Sequence, residues 1–367
     1  MSEKGKYVYG IINSNTDNSF GPYGVENKEA FSPLLTKKVE ESPRACEEVY
    51  SIPYKGISAI ISNEEIVDYT RMLKDAVARL LVRHQKVIEK IMSLGYTIIP
   101  MRLGTFAADE TDVKDILNKG YNLIKDIFKK ISNKIEIDVI STWSDFVSIL
   151  KEAGEEKEIK EFKESLLANP KGITVDDQMK VGIILKKALD NKREKYAFKI
   201  QSALKNVSHD LKIHELMDDK MVINSAFLIN KSRQKEFYRK IESLNYEFDD
   251  KLNFRCVGPL PPYSFYTIDI RKMKFEEIDW AKKKLRLSDD FVTKNEVKKV
   301  YRKLAFSFHP DRNPNTPGIG KEFDELNKAY RILNGYGEAC KQGGKEDSLS
   351  FSEEEFEKNK ILVEVKN

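Results

Sequence analysis

The chain has 367 residues, which is too long for one ordinary hydrophobic core and favours two or three domains. Hydrophobic residues make up 40% and charged residues 33% of a chain whose formal net charge is only +4, so neither a nucleic acid nor a membrane surface is indicated as a partner. Three widely spaced cysteines, Cys46, Cys256 and Cys340, indicate a reducing compartment and argue against a zinc site or a disulfide framework.

The N-terminal and apolar segments give no sign of secretion or membrane insertion. The segment MSEKGKYVYG lacks the apolar core of a signal peptide. No apolar run reaches the roughly 18 residues that a membrane helix requires. The sequence therefore predicts a cytoplasmic protein without a membrane span.

Strand and helix patterns alternate in the first part of the chain. Residues 7–12, 57–61 and 135–143 are rich in β-branched and aromatic residues and predict strands, and residues 69–95 predict a long helix. The apolar face of that helix follows steps of three and four residues: Leu73, Val77, Leu80, Leu81, His84, Val87, Ile88 and Ile91. This mixture predicts a first α+β domain at residues 1–145.

A second α+β domain is predicted at residues 146–274. Its first half is charged and helical, and residues 176–205 could form one long helix. A strand is predicted at 221–230, and a further strand at 252–270 is interrupted by Pro259, Pro261 and Pro262. Because proline cannot donate to a sheet, these prolines indicate an edge, a bulge or the end of the strand.

From residue 275 the pattern becomes purely helical, which predicts a small all-α domain at residues 275–340. Residues 341–367 begin with Gly-rich and acidic sequence and are expected to form a flexible tail. The last apolar residues, 361–365, could still pair as a strand.

A helical hairpin is predicted around the tripeptide His309-Pro310-Asp311. Thr293 followed by Glu296 is a capping box that begins a helix, and Pro310 prevents its continuation. One face of this helix is apolar, with Val297, Val300, Tyr301, Leu304 and Phe308. Its other faces are basic, with Lys298, Lys299, Arg302 and Lys303. A second amphipathic helix carries Phe323, Leu326, Tyr330 and Leu333, so the two helices share a core and display the tripeptide at the tip.

The tripeptide admits three interpretations. A catalytic His–Asp pair needs a nucleophile and an enclosed pocket, which a small helical hairpin does not offer. The tripeptide could otherwise be an exposed turn shaped by Pro310, or part of a docking surface. The four histidines, at positions 84, 209, 214 and 309, have no spacing typical of a metal site.

Residues 277–337 resemble the J domain of DnaJ-type co-chaperones, through EVKKVYRKLAFSFHPDRNP followed by FDELNKAYRIL. Trp280 and Leu285 occupy places comparable to the family's first-helix pattern, although the glycine of its usual Gly-Val turn is absent. The resemblance implies that the tripeptide triggers ATP hydrolysis in a DnaK-type chaperone. It also implies that the acidic surface of that chaperone contacts Lys298, Lys299, Arg302 and Lys303. A basic face favours fast electrostatic association.

Two stretches of the preceding region carry unusual polar, Gly and Pro residues. Arg102 follows an apolar run and needs a carboxylate or carbonyl partner if it is buried. Gly104 could form a turn or a phosphate-binding nest, but no Walker lysine or GxGxxG accompanies it. His84 is expected to be a hydrogen-bonded core histidine, with a functional role as the alternative. Residues 258–263 predict a rigid turn that closes a sheet.

Residues 5–272 resemble the GvpL/GvpF family of gas vesicle accessory proteins. The resemblance rests on four motifs in order: Tyr7-Val8-Tyr9-Gly10-Ile11, His84 with Val87, Pro100 to Thr105 with Leu103 in place of Phe, and Gly258 to Phe265 with Leu260 in place of Trp. It implies two α+β domains, the first ferredoxin-like, and no catalytic activity. No cofactor or metal is expected. The resemblance also implies structural or client-binding roles for the motif residues His84, Pro100, Arg102, Gly104, Gly258, Pro259, Pro261, Pro262 and Tyr263.

The two resemblances together predict a gas vesicle assembly factor in the cytoplasm and at the gas vesicle. Its expected partners are the hydrophobic vesicle shell protein, other vesicle accessory proteins and a DnaK-type chaperone. Shell subunits that expose apolar surface before assembly tend to aggregate, so a holding protein that also recruits an ATPase suits them. A general J-domain co-chaperone with a broad client-binding domain is the alternative. An enzyme using His84, Arg102 and a carboxylate is a third hypothesis.

Overall fold

A computed structural model describes residues 4–22, 48–69, 72–168, 174–288, 290–345 and 348–366. Cys46 lies outside these ranges, and Cys256 and Cys340 are free thiols. The chain divides into two compact units. The first combines Met1–Lys130 with Tyr266–Asn367, and the second is Ile131–Phe265. Within the described ranges, no helix combines the length and the apolar composition that crossing a membrane requires.

The N-terminal part of the first unit is a six-stranded sheet with helices. Its elements are β1 Lys4–Ile12, β2 Ser19–Pro22, β3 Glu48–Tyr54, β4 Ile57–Glu65, α1 Lys74–Ser93, β5 Ile98–Pro100, β6 Phe106–Ala107, α2 Glu110–Lys119 and α3 Tyr121–Ile131. The strand order is β2-β3-β4-β1-β5, with β6 also paired to β1, and the pairings are antiparallel. Strand β1 is central and apolar on both faces, so its residues from Tyr7 to Ile12 are buried.

The sequence predicted helix α1 well, but not all of its apolar face. His84, Val87, Ile88 and Ile91 are buried. Leu73 precedes the helix as its N-cap residue and is 83% exposed, and Leu81 is 53% exposed. The buried face is therefore confined to the second half of the helix.

The second unit has a complete β-α-β-β-α-β order. Its elements are β7 Lys134–Trp143, α4 Phe146–Gly154, α5 Lys157–Leu167, α6 Val175–Lys205, β8 Asp210–Ile213, β9 Met221–Asn230, α7 Gln234–Glu247, β10 Leu252–Leu260 and α8 Tyr263–Tyr266. The antiparallel sheet has the order β10-β7-β9-β8, which is the ferredoxin-like arrangement. The predicted long helix is present as α6, and Thr174 with Asp177 forms its capping box.

The ferredoxin-like order predicted for the first domain is also present there, in strands β3-β4-β1-β5. The connection from β1 to β3 contains the extra strand β2 and passes through residues outside the described ranges. The predicted boundary at residue 145 is wrong, because β7 forms its hydrogen bonds with β9 and β10 of the second unit. The alternating pattern identified the strand but not the sheet to which it belongs.

The C-terminal part of the first unit is mainly helical. Its elements are β11 Ile268–Lys272, α9 Phe275–Lys284, β12 Phe291–Thr293, α10 Lys294–Ser307, α11 Ile319–Gln342, β13 Ser348–Ser350, α12 Glu353–Asn359 and β14 Ile361–Val365. Helices α9, α10 and α11 share one core, whose members include Ile278, Leu285, Val297, Leu326, Leu333 and Tyr336. We call α9 to α11 the C-terminal helical domain.

The expectation of a flexible tail at 341–367 is wrong for the described part of that segment. Helix α11 continues to Gln342, β13 pairs with β12, and β14 pairs with β11. Tail side chains are buried in the core of the helical domain: Leu349, Phe351, Phe356 and Leu362. Burying these apolar side chains offsets the entropy lost when the segment becomes ordered. Residues 361–365 thus form the strand that the sequence analysis admitted as an alternative.

Candidate functional site

Helix α10 separates an apolar face from a basic one. The Thr293 hydroxyl accepts a hydrogen bond from the Glu296 amide at 3.1 Å, and Glu296 accepts one from the Thr293 amide at 2.7 Å, which confirms the capping box. Val297 is buried, and Tyr301 stacks on Tyr330 with ring centroids 4.1 Å apart. The four predicted basic side chains are exposed: Lys298, Lys299, Arg302 and Lys303. The apolar face is thus used by the core, and the basic face is available to a partner.

The loop after α10 holds the tripeptide at the tip of the hairpin. His309 precedes a short 3₁₀ turn, Pro310–Arg312, and its Nδ1 accepts a hydrogen bond from the Asp311 amide at 3.2 Å. The imidazole also contacts the ring of Phe323 edge-on, with centroids 5.1 Å apart. The Asp311 carboxylate is 89% exposed. The backbone shape is therefore fixed locally, while the carboxylate and part of the imidazole face solvent.

Asn313 supports this loop and Lys284 links two helices of the same domain, and neither residue was predicted from the sequence. The side-chain amide of Asn313 donates to the backbone carbonyls of Ser307 at 2.9 Å and His309 at 3.0 Å. These bonds hold the loop against the end of α10. Lys284, at the end of α9, forms ion pairs with two carboxylates of α11, Glu322 and Glu325. Asn313 is a recognisable signal, because Asn in a turn often bonds to nearby backbone groups.

His84 is a buried, neutral histidine in the N-terminal part of the first unit. It is 2% exposed, and its Nδ1 lies 2.7 Å from the Tyr7 hydroxyl. The ring also forms a hydrogen bond with the Met101 backbone. Burial lowers the pKa of His84 to about 4 despite that bond, so the ring is neutral at pH 7. A ring that donates to the Met101 carbonyl can accept the Tyr7 hydroxyl proton, which satisfies both nitrogens.

We expect the first unit to lose stability in acid because of His84. Its pKa is lowered on folding, so its contribution is complete above pH 6.5 and is lost as the pH falls toward 4, by on the order of 3 kcal/mol. Urea unfolding of the full chain at several pH values, with hydrogen exchange of β1 as the readout, measures this loss. His84→Gln should flatten the acid slope, and the same change at half-exposed His309 should leave it unchanged. Equal slopes in all three proteins would contradict the assignment.

Residues 100–105 form a turn in which the polar side chains of Arg102 and Thr105 have partners within the first unit. Arg102 forms an ion pair with Asp269 at 2.8 Å, although its side chain is 53% exposed. Gly104 has a φ of +85°, and a Cβ there would lie 2.9 Å from the Tyr69 ring, so glycine is required. Thr105 donates its hydroxyl to the Arg102 carbonyl at 2.7 Å. Pro100 ends β5, opposite Gly10 of β1. These contacts favour a structural turn over a phosphate nest.

Residues 258–264, which we call the Gly258–Ser264 turn, run from the bulged end of β10 into α8 and are attached to strand β7 in the second unit. Gly258 has a φ of +153°, and a Cβ there would lie 2.9 Å from the Glu136 carbonyl. Pro261 and Pro262 are buried, whereas Gly258 and Pro259 are exposed. Tyr263 begins the short helix α8. These contacts give the turn a structural role in the sheet.

A buried carboxylate fastens this turn, and the sequence analysis missed it. Glu136 is 1% exposed, and it accepts hydrogen bonds from the Ser264 amide at 2.9 Å and the Ser264 hydroxyl at 2.7 Å. The same hydroxyl lies 3.1 Å from Nε2 of His214. Burial raises the pKa of Glu136, the Ser264 hydrogen bonds lower it, and the neighbouring Asp138 carboxyl raises it, so that the resulting pKa is about 8. Within the described ranges, no group of three His, Cys, Asp or Glu side chains could hold a metal ion.

Comparisons with known proteins match both parts of the chain. The family model for gas vesicle synthesis protein GvpL/GvpF matches residues 5–267, and the DnaJ domain model matches residues 283–336. Gas vesicle protein F of Nostoc sp. is 24% identical over 222 residues, which is 60% of this chain and 88% of that protein. The DnaJ chaperone protein of Prosthecochloris aestuarii is 50% identical over 42 residues, 11% of each chain.

A solved structure shows the same fold in the region matched by the vesicle family. The crystal structure of gas vesicle protein GvpF from Anabaena superposes with a TM-score of 0.57 at 22% sequence identity, covering 72% of this chain and 98% of that one. Both resemblances inferred from the sequence are confirmed. The chain is a member of the GvpL/GvpF family of gas vesicle synthesis proteins and carries a C-terminal DnaJ domain.

Proposed function

We propose that this protein is a cytoplasmic gas vesicle assembly factor that binds the hydrophobic vesicle shell protein and recruits a DnaK-type chaperone through its J domain. One observation carries the proposal: a single chain joins a region of the vesicle family to a J domain with an exposed basic face and a partly exposed His309-Pro310-Asp311 loop. The C-terminal helical domain is this J domain.

The chaperone half of the proposal rests on charge and shape. Four cationic side chains on one helix favour association with an acidic surface and raise the rate of encounter. The loop beside them is held by its own hydrogen bonds, so little entropy is lost when a partner binds it. The acidic carboxylate of Asp311 points to solvent within this basic surrounding, which gives the contact its specificity.

The client half of the proposal rests on the family and on the chemistry of a shell. A shell protein buries apolar surface only in the finished assembly, and its unassembled form is prone to aggregate. A protein that holds such a subunit and brings an ATPase to it would release subunits under control. Accessory proteins of the vesicle are further proposed partners.

A role without catalysis is part of the proposal. His84 is enclosed by Tyr7 and the Met101 backbone, and Arg102 is paired with Asp269. Among the described residues each of these side chains already has a partner, whereas the enzyme hypothesis needs both of them beside a nucleophile in a cleft. These contacts support structural roles for both residues.

The client half is tested by synthesising vesicle shell protein together with the full chain and measuring the fraction that remains soluble and co-purifies. An unrelated aggregation-prone protein is the control. The full chain is needed because β11, which directly follows the region matched by the vesicle family, pairs with β14 at the C-terminal end of the described residues. We expect selective capture of the shell protein. Equal capture of both proteins would favour the general co-chaperone, and capture of neither would overturn the client half.

A further inference from the structure

We propose that residues 348–366 are a coupling segment that fixes the J domain in one orientation on the N-terminal sheet domain of the same unit, which consists of strands β1 to β6 and helices α1 to α3. A chaperone bound at the His309 loop would then be presented at a fixed place rather than on a flexible tether. The inference does not depend on the identity of the client or the chaperone. It starts from the observation that β11 begins just beyond the vesicle-family match, β14 lies beyond the DnaJ match, and the two strands pair.

The coupling segment is joined to the N-terminal sheet domain by backbone hydrogen bonds. Strand β14 pairs with β11 from Ile268↔Val365 to Lys272↔Ile361. The ladder is extended at both ends, by Lys366 donating to Thr267 at 2.8 Å and Met273 donating to Lys360 at 2.9 Å. On its opposite edge, β11 accepts a hydrogen bond at Ile268 from the Arg102 amide at 2.8 Å. The C-terminal strand is thus connected through β11 to the Pro100–Thr105 turn.

The other edge of β14 is bound by the J domain. Gln342, in the last turn of α11, uses both ends of its side-chain amide. Its Nε2 donates to the Val363 carbonyl at 2.5 Å, and its Oε1 accepts from the Val363 amide at 3.1 Å. A single side chain therefore takes the place of a neighbouring strand. The coupling strand is held on one edge by β11, which is itself bonded to the Pro100–Thr105 turn of the sheet domain, and on the other edge by the J domain.

Close packing at two glycines supports the same arrangement. A Cβ on Gly120, between α2 and α3, would lie 2.7 Å from a Val363 methyl group, although the φ of Gly120 is an ordinary −82°. A Cβ on Gly343, directly after α11, would collide with the Asn359 side chain. Asn359 is 3% exposed and accepts a hydrogen bond from Lys119 of α2 at 3.1 Å. Both domains therefore approach the coupling segment at van der Waals distance.

The segment is also part of the J-domain core, so it cannot move independently of that domain. Leu349, Phe351, Phe356 and Leu362 belong to the same cluster as the buried side chains of α9, α10 and α11. The Tyr336 hydroxyl of α11 donates to the Ser350 carbonyl at 2.7 Å. The segment therefore belongs to the core of the J domain and is also paired with β11. A movement of the J domain relative to the sheet domain would have to break one of these two sets of contacts.

The test is a distance measurement on the full chain. Spin labels on unnatural residues at exposed positions Lys90 and Asp324 report one site in the sheet domain and one in the J domain. We expect one narrow distance distribution for the wild-type protein. Gly120→Val, which collides with Val363, and Gln342→Ala, which removes the amide bridge, should both replace it with a broad distribution. Gly320→Val, with no neighbour within 4 Å of its Cβ, is the matched control.

Each result decides the proposal. A broad distribution in the wild-type protein, or a narrow one in both variants, would overturn it. If Gly120→Val fails to fold by circular dichroism, the wild-type width and the milder Gln342→Ala still decide. Stimulation of a DnaK-type ATPase is measured in parallel and should persist in both variants, because α10 and its loop are untouched. If the wild-type protein does not stimulate the ATPase, the proposed function is contradicted, and the proposal about the coupling segment is not affected.

Discussion

Replacing His309 with glutamine is expected to abolish stimulation of a DnaK-type ATPase while leaving the J domain folded. The imidazole is 43% exposed, and within the domain it meets the Phe323 ring and the Asp311 amide. Glutamine can still accept a hydrogen bond from that amide, and Asn313 continues to hold the loop. A drop in single-turnover ATP hydrolysis of at least about tenfold, equal to ~1.4 kcal/mol in the activation free energy, is expected.

Asp311→Asn should also abolish stimulation of the ATPase, because it removes the exposed negative charge of the loop and leaves the imidazole in place. The carboxylate is 89% exposed, so removing its charge leaves the thermal unfolding midpoint almost unchanged. Asp324→Asn, at an exposed carboxylate of α11, is the matched control and should stimulate like the wild-type protein. If the His309 and Asp311 variants still stimulate hydrolysis, the loop is not the functional contact and the chaperone half of the proposed function fails.

The loop region could be predicted because its signals are local. The capping box of Thr293 and Glu296, the stop at Pro310 and the apolar steps of α10 all lie within a few residues of what they determine. The same holds for the long helix α6 with its capping box at Thr174. These local patterns are therefore sufficient to predict both helices and the exposed face of α10, without information about tertiary packing.

The tail and the domain boundary could not be predicted because they depend on distant partners. Strand β14 pairs with β11, about 90 residues earlier, and a five-residue strand with four apolar residues does not reveal its partner. The partner of Arg102 is Asp269, 167 positions away. His84, whose neighbours on the helix are apolar, was correctly interpreted as a core histidine, because the helical period alone placed it inside.

Glu136 shows how an alternating pattern can mislead. In β7 the neighbours Ile135, Ile137 and Val139 face the core, so the alternation predicts that Glu136 and Asp138 face water. The structure instead buries Glu136 beneath Ser264, to which it is bonded twice. The covering segment lies 128 positions away in the sequence, and no local signal announces it.

Replacing Glu136 with glutamine should therefore stabilise the second unit at alkaline pH. Because the pKa of Glu136 is raised on folding, the folded state keeps a proton that the unfolded state releases above about pH 4.5. Stability is full below that pH and is lost as the pH rises toward 8, by on the order of 4 kcal/mol. Glutamine has the same shape, can accept from Ser264 and can donate to Asp138, and it carries no charge to bury.

The measurement is urea unfolding at pH 5 and pH 8.5, with hydrogen exchange of β7 and β9 reporting the second unit separately from the first. The free energy of unfolding of the wild-type second unit should be lower at pH 8.5 than at pH 5. Glu136→Gln should remove most of that difference and should leave the free energy of unfolding at pH 5 nearly unchanged. Glu242→Gln, at an exposed carboxylate of α7 in the same unit, should keep the wild-type pH dependence. If Glu136→Gln and Glu242→Gln lose stability equally at pH 8.5, the Glu136 carboxyl is already ionised in the folded protein. The attachment of the Gly258–Ser264 turn to β7 would then rest on a charged carboxylate, stabilised by the two Ser264 hydrogen bonds.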